Sequence, residues 1–334
     1  MRKLDKRLKY LPSNGFVMAV PKSMLCRACG PVLPEELIHK MEQSMAYRFV
    51  GPNKHSAVKV CTWTKHSLRG RGTCYKEKFY GIQAHRCLQM TPAVPFCTER
   101  CQFCWRLGEL RSPKWIGPVD EPKVILDGCI EARRQILQGF GGNPAAGGKV
   151  WEAERPNQVA ISLDGEPLLY PKISELVDEV LGRNMTAYLV TNGTLPDVLK
   201  DLSEPTNLYV TLAGPNEKIF EKTTQPLISD AWKRLQKSLE MLANFSCNTV
   251  VRLTLVKGLN FVEPEQYGKL AKASGTKFIE VKAAMSVGAA RERFPYSDMP
   301  RHPEIREFAE KIAEASGYRI KDEQTASRVV LLEK

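Results

Sequence analysis

The segment Pro95 to Arg106, PFCTERCQFCWR, sets Cys97, Cys101 and Cys104 in a C-x3-C-x2-C pattern. Phe103 stands directly before the last thiol and Trp105 directly after it. Three thiols cannot pair off into disulfides, but they can ligate a metal centre and leave one position open. Four cysteines are the usual ligands of a 4Fe–4S electron carrier. With three, the fourth iron stays free, and an open position is what a catalytic metal site keeps for its substrate. S-adenosylmethionine (SAM) can chelate such an iron through its amino and carboxylate groups. One electron from the cluster then cleaves its S–C5′ bond to give a 5′-deoxyadenosyl radical. A three-cysteine zinc site completed by a distant ligand is an alternative use of the same thiols, and three separate core cysteines are another.

Upstream stand Cys61, Cys74 and Cys87, separated by two equal gaps of twelve residues. They could hold a second cluster with one free iron, or be ordinary buried thiols. Downstream, LDGEP places Gly165 and Glu166 after an apolar run, where a backbone carbonyl and a carboxylate can accept from an ammonium.

These residues need elements to position them. From about residue 85, apolar or β-branched runs alternate with helical patterns at 120–139, 172–183, 195–202, 230–244, 264–273 and 303–315. The runs are HRCLQMTPA, QVAISLDGEP, TAYLVTNG, NLYVTLAG, TVVRLTLVKG and KFIEVKAA. Such alternation implies βαβ units and a parallel sheet. Six repeats suit a doubly wound sheet or an incomplete (β/α)6 barrel. The cysteine loop, GEP and TNG all follow strands, and barrel enzymes build their sites at strand C-termini, although open sheets do likewise. The expected fold is an incomplete TIM-type (β/α)6 barrel, with residues 1–51 as a basic, partly helical extension (helical at 34–47). Residues 52–334 form the catalytic domain, with 52–87 as the second-cluster and substrate segment, covering the strand C-termini, and 88–334 as the barrel. The Gly-rich stretch 139–149 lacks the Ser or Thr after Lys149 that a phosphate-binding P-loop requires.

C-x3-C-x2-C with an aromatic before its third Cys is the signature of the radical SAM enzymes, and the chain resembles them. The resemblance implies that Phe103 packs on adenine and that Gly165 and Glu166 hold the methionyl amino group. Thr191 and Asn192 of TNG, with Arg252 and Thr254 of VVRLTLVKG, are implied for the ribose and the methionyl carboxylate. The paired triads, together with GFGGNP, RLTLVKGLN, FIEVKA and MPRHPEI, resemble the archaeal-type tRNA 4-demethylwyosine synthases over roughly residues 55–315.

That resemblance implies two 4Fe–4S clusters, held by Cys97, Cys101 and Cys104 and by Cys61, Cys74 and Cys87. The implied reaction joins pyruvate to the N1-methyl carbon of N1-methylguanosine at position 37 of tRNA(Phe), within the anticodon loop. It also implies a Schiff-base lysine two residues after the middle Cys of the second triad. Here that residue is Lys76, with Lys78 as its rival. A neighbouring cationic group would lower the amine pKa, as such chemistry needs. The chain departs from the family at Ala213, where an acidic residue is usual.

Charge is compatible with an RNA partner. Lys plus Arg number 49 against 37 for Asp plus Glu, a net +12. Residues 52–87 hold eight Lys or Arg, one acid (Glu77) and His55, His66 and His85. Trp63, Tyr75, Phe79 and Tyr80 interleave with them, a mixture suited to phosphates and an unstacked base. The plain reading is a solvated basic face with its aromatics in the core. The N-terminus lacks the apolar core of a signal peptide, and no run approaches a membrane span. The ten cysteines then suit a reducing cytoplasm. No flavodoxin-like stretch precedes residue 52, so a separate flavodoxin- or ferredoxin-like electron donor is expected, and a monomer. Cys26 and Cys29 form an isolated C-x2-C. An activase acting on a protein, or a non-catalytic iron–sulfur carrier, are the competing functions.

If the triads are independent, replacing any one of Cys97, Cys101 or Cys104 with Ala should abolish SAM cleavage yet leave about half the iron after anaerobic reconstitution. Iron analysis with a 5′-deoxyadenosine assay checks this, and normal cleavage in such a variant would remove the assignment.

Overall fold

The structure, a computed structural model, describes residues 32–107 and 111–334. The Cys26–Cys29 pair lies outside them. One sheet runs through the described chain. Strands β1 (Arg48–Val50) and β2 (Ser56–Lys59) form its first edge. Six parallel strands follow: β3 (Cys87–Thr91), β4 (Gln158–Ile161), β5 (Thr186–Thr191), β6 (Asn207–Thr211), β7 (Asn248–Leu255) and β8 (Phe278–Ala283). At the far edge, β10 (Val329–Glu333) separates β8 from β9 (Arg319–Gln324), antiparallel to both.

The six parallel strands are those read from the sequence. Their spatial order never reverses between β3 and β8. A doubly wound sheet must reverse, because its helices cover both faces. Here successive right-handed crossovers keep the helices on one side, and the sheet curls. Thr186 pairs with Gln158, but Asn207 pairs with Tyr188 and Phe278 with Val250, so β6 and β8 each start two residues further along. That stagger tilts strands as barrel closure demands. The β1 and β9 edges do not pair, so the barrel is incomplete.

Alternation along each strand divides the residues. Val251, Leu253 and Leu255 of β7, with Leu208, Val210, Ile279 and Val281, join the large core cluster with helix residues such as Leu176, Leu235 and Ile312. Burying each such side chain contributes roughly 1.5–3 kcal/mol. The opposite face, toward the lumen, carries Gln89, Tyr188, Tyr209, Arg252, Thr254, Glu280 and Lys282. A core needs only one apolar face, so the other is free for polar chemistry.

Most helices match the sequence pattern, including Pro264–Ala273 and His302–Ser316. Helix Glu217–Thr224 was not anticipated. It has three buried residues, Phe220, Thr223 and Thr224, and Asn216 caps it by accepting from the Ile219 N–H at 3.0 Å.

Two expectations about the N-terminal part need correction. The sheet runs across residue 51, because Arg48 pairs with Val58 and Val50 with Ser56. Also, 52–87 does not cover the strand C-termini. β2 is antiparallel to β3, so the chain leaves β2 at the N-terminal end of β3. Helix Tyr75–Tyr80 enters the barrel mouth there. The following Gly81, Ile82 and Gln83 line a 530 Å³ cavity with Gln158, Thr186, Asn207, Asn248 and Phe278, which stand at the starts of the parallel strands. Among the described residues, no helix is long and apolar enough to cross a membrane.

Candidate active site

The cysteine loop follows β3 and is held by backbone bonds from two directions. Cys97 N–H donates to Ser112 O, Arg100 N–H to Thr224 O and Gln102 N–H to Thr223 O, at 2.8–2.9 Å. The GEP turn clamps the start of the loop. Glu166 N–H donates to Phe96 O at 2.7 Å. Gly165 has φ +68°, and a Cβ there would stand 2.1 Å from Ala93 O and 2.5 Å from Phe96 O. Only glycine allows that approach.

Glu166 ties this turn to the next strand end. One carboxylate oxygen accepts from the Leu168 N–H (3.1 Å) and the Thr191 hydroxyl (2.7 Å), and the other from the Asn192 N–H (2.7 Å). Burial pushes its pKa up to about 7, against the pull of these hydrogen bonds. Asn192 Nδ2 donates to the Thr98 hydroxyl at 2.7 Å and lies 4.0 Å from Cys97 Sγ. The structure thus gathers Gly165, Glu166, Thr191 and Asn192 beside the cysteine loop. Phe103 packs between the main core and a cluster containing Val256, Ala284 and Phe294.

The charges suit thiolate ligands. Burial pushes the Cys97 thiol up to about 12 and Cys101 well above its usual range. At Cys104 burial also acts upward, but Arg106 and Arg111 outweigh it and the pKa falls. Arg111 pairs with Asp164 at 2.6 Å and stands 3.9 Å from Cys104 Sγ. Arg106 donates to the carbonyls of Ser162 and Leu163. Buried thiols that must ionise need a cationic centre among them, and these residues fit an iron–sulfur cluster.

The second triad lies at the other end of β3. Cys87 is its first residue, whereas Cys97 follows its last, Thr91. At about 3.3 Å per residue, the two ends stand roughly 15 Å apart. Cys61 caps helix Thr62–Leu68, its sulfur accepting from the Thr64 N–H at 3.4 Å, and Cys74 occupies the same position before helix Tyr75–Tyr80. Burial pushes Cys74 up to about 12 and raises Cys87, and Cys61 adds to both. The three sulfurs are therefore electrostatic neighbours. The fully buried Arg133 guanidinium backs this triad, donating to Cys87 O (2.7 Å), His85 O (2.6 Å) and Ala153 O (2.9 Å).

Lys76 and Lys78 point in different directions. Lys76 is 9% exposed, and its Nζ lies 4.8 and 4.6 Å from the ring centroids of Tyr188 and Tyr209, inside the lumen. Burial, then Arg252, lowers its pKa. Lys78 turns outward to pair with Asp322 at 2.5 Å and to donate to Glu323 O at 2.8 Å.

Arg252, Thr254 and Ala213 each make contacts of their own. Arg252 is taken up by Glu280 (2.8 and 2.9 Å) and the Tyr75 hydroxyl (3.1 Å), on the side of the second triad. These bonds use its Nε and one Nη. The Thr254 and Ala213 carbonyls both accept from Asn260 Nδ2 at 2.9 Å, and Ala213 is itself buried. Tyr75, Phe79 and Tyr80 pack inside the barrel, so they offer no stacking platform on the surface. Arg69 is exposed and lies over Phe140 at 5.2 Å.

The residue reading missed Glu280, Arg106, Arg111, Asp164 and Arg133. Glu280 and Asp164 sit within or beside the motifs FIEVKA and GEP. Arg133 carries no signal, being one of several charges on a helix.

Comparison with known proteins follows this geometry. Residues 91–271 match the model of the radical SAM superfamily, and residues 274–334 match one described as wyosine base formation. The chain is 44% identical over 310 residues to an S-adenosyl-L-methionine-dependent tRNA 4-demethylwyosine synthase of Pyrococcus abyssi, covering 91% of this chain and 90% of that one. It is 34% identical over 313 residues to the protein of the same name from Methanocaldococcus jannaschii, covering 90% and 97%. A solved structure of TYW1 with a lysine-pyruvate adduct bound aligns with TM-score 0.81 and 34% identity, covering 90% of this chain and 96% of that chain. A crystal structure of archaeal TYW1 aligns with TM-score 0.73 and 32% identity over the same shares.

Gly165→Ala should be among the most damaging small changes. Its Cβ must displace two backbone carbonyls from a left-handed φ, a combination expected to cost about 3 kcal/mol or more. Urea unfolding of the anaerobic protein measures this, and a loss under about 1 kcal/mol would show that the clamp yields.

Proposed function

We infer this chain's reaction from its family, for it belongs to the S-adenosyl-L-methionine-dependent tRNA 4-demethylwyosine synthases. It is a radical SAM enzyme that modifies tRNA. It converts N1-methylguanosine at position 37 of tRNA(Phe), with pyruvate, into 4-demethylwyosine. We assign it to the carbon–carbon lyases, because pyruvate's C1 is lost as its C2 joins the methyl carbon. The observation that best supports this reading is the buried Lys76, held on a lumen helix that starts directly after Cys74, the middle cysteine of the second triad.

Cys97, Cys101 and Cys104 would hold the cluster that, when SAM is bound, supplies the electron that yields the 5′-deoxyadenosyl radical. Gly165 and Glu166 present a carbonyl and a carboxylate at the loop's edge for the methionyl ammonium. Thr191 and Asn192 orient Glu166 and offer polar groups to the ribose, while Phe103 offers a ring face to adenine. Thr254 stands on the lumen face of β7 for the methionyl carboxylate. Cys61, Cys74 and Cys87 would hold a second 4Fe–4S cluster beneath the substrates.

Lys76 provides the amine. In the family neighbour with a lysine-pyruvate adduct, a lysine binds this same substrate. The Lys76 amine adds to the pyruvate ketone and water leaves. Burial and Arg252 favour its neutral form, which that addition requires. The target base leaves its stack in the anticodon loop and enters from the SAM face, at a cost of a few kcal/mol. A separate flavodoxin- or ferredoxin-like protein donates the electron, in the cytoplasm, to a monomeric enzyme.

The reconstituted enzyme should form 4-demethylwyosine from N1-methylguanosine-37 tRNA, SAM and pyruvate, as read by mass spectrometry of tRNA digests. Lys76→Arg keeps a charge but cannot form the imine. It should retain iron, tRNA binding and SAM cleavage while product falls below detection, whereas Lys78→Arg should stay within about twofold of wild type. Normal product from Lys76→Arg would remove Lys76 from the mechanism.

A further inference from the structure

The lumen around Lys76 holds more positive than negative charge. Lys76, Arg252 and Lys282 all extend into it. Glu280 is the one carboxylate bonded to any of the three among the described residues, and Arg252 takes it at 2.8 Å. The Tyr75 and Tyr80 hydroxyls donate to the same carboxylate, at 3.3 and 2.9 Å. Glu280 Oε2 is thus occupied by Arg252 and Tyr75 and its Oε1 bonds Tyr80, while neither lysine is bonded to it.

Lys282 stands on β8, two residues after Glu280 and on the same face. Its Nζ lies 4.6 Å from the Tyr75 ring centroid. Among the described residues it has no hydrogen-bonded or ion-paired partner. An aromatic face attracts an ammonium, but it does not replace the water lost on burial. Burial, with Arg252, pushes the Lys282 pKa down to about 8, and Lys76 acts in the same direction. Nearby, the Tyr209 hydroxyl is buried without a partner of good hydrogen-bond geometry.

A site with two lysine side chains free of bonded partners among the described residues and one unpaired hydroxyl is complementary to a small anion that also carries a carbonyl. A 2-oxo acid has that form, with its carboxylate one bond from the ketone carbon. Tyr75, Tyr188 and Tyr209 set aromatic rings against the two lysine amines. If Lys76 is to reach the ketone carbon, a second group must hold the other end of so short a molecule. We propose that Lys282 is the positioning residue that binds the carboxylate of the 2-oxo acid, so that the ketone is presented to Lys76. The proposal rests on the functional reading above. It separates two roles that one lysine could not fill: Lys76 reacts, and Lys282 orients.

The test compares wild type, Lys282→Met and Lys282→Arg as reconstituted holoenzymes, each checked for iron content and SAM cleavage. Two substrates are used, pyruvate and its uncharged methyl ester. Borohydride trapping on Lys76 and formation of the tricyclic base are both followed against substrate concentration. Lys282→Met should raise half-saturation for pyruvate at least about tenfold in both readouts, with tRNA affinity and SAM cleavage unchanged. Lys282→Arg should recover most of the loss. Wild type should prefer pyruvate to methyl pyruvate, and Lys282→Met should lose that preference, which a merely structural change would not do. Retained discrimination in Lys282→Met, with Lys76 still trapped, would overturn the role of Lys282 and leave the carboxylate to the second cluster. A wild type that neither traps pyruvate nor forms the tricyclic base would overturn this inference and the functional reading together.

Discussion

A single buried carboxylate organises the inside of this barrel. Glu280 is fully buried, and it is tolerable there because Arg252 and two tyrosine hydroxyls surround it. Removing one partner from such a pair strands a buried charge and typically costs 3–5 kcal/mol. Tyr75 and Tyr80 come from one short helix, so the same bonds pin helix Tyr75–Tyr80 into an otherwise open barrel. Six residues could not stay helical alone. Their position fixes Cys74 just before the helix and Lys76 within it. The polar face of β7 and β8 therefore decides where Cys74 of the second thiol triad and Lys76 stand.

The two triads occupy opposite ends of β3, and the strand acts as a ruler between them. The arrangement gives two compartments with different demands. At the strand C-termini, backbone clamps and the Glu166 brace hold a loop that must keep three buried thiols in position. Pre-organisation of this kind, built on strand ends and supported by further hydrogen bonds, is what a precise metal site needs. In the lumen, aromatic rings line the site, and burial with like-charge repulsion lowers the pKa of both Lys76 and Lys282.

Surface charge proved a mixed signal. The basic segment 52–87 divides once folded. Lys76 turns inward, Lys59 lies over Trp105 at 4.6 Å and Lys78 pairs with Asp322, while Arg69 stays exposed. Counting charges along a chain cannot separate these fates, because consecutive residues of a short helix face opposite ways.

The sequence by itself determined much of the frame. Six strand runs in βαβ alternation gave a parallel sheet, and the polar residues after them marked the functional end. The spacing of Cys97, Cys101 and Cys104 pointed to an open-iron cluster, since ligand chemistry depends on residue type and loop length, both local properties. The close backbone approach at Gly165 was not legible, because the carbonyls of Ala93 and Phe96 that require it lie about seventy residues away in the chain. Tertiary structure alone decided the rest. Whether 52–87 covered one barrel mouth or the other depended on β2 pairing antiparallel to β3, a contact across about thirty residues of intervening chain. The partner of Arg252 is Glu280, and the opposite directions of Lys76 and Lys78 follow from a helix buried on one side. Such choices are made by desolvation and charge pairing between distant strands, and no local pattern records which buried charge will meet which.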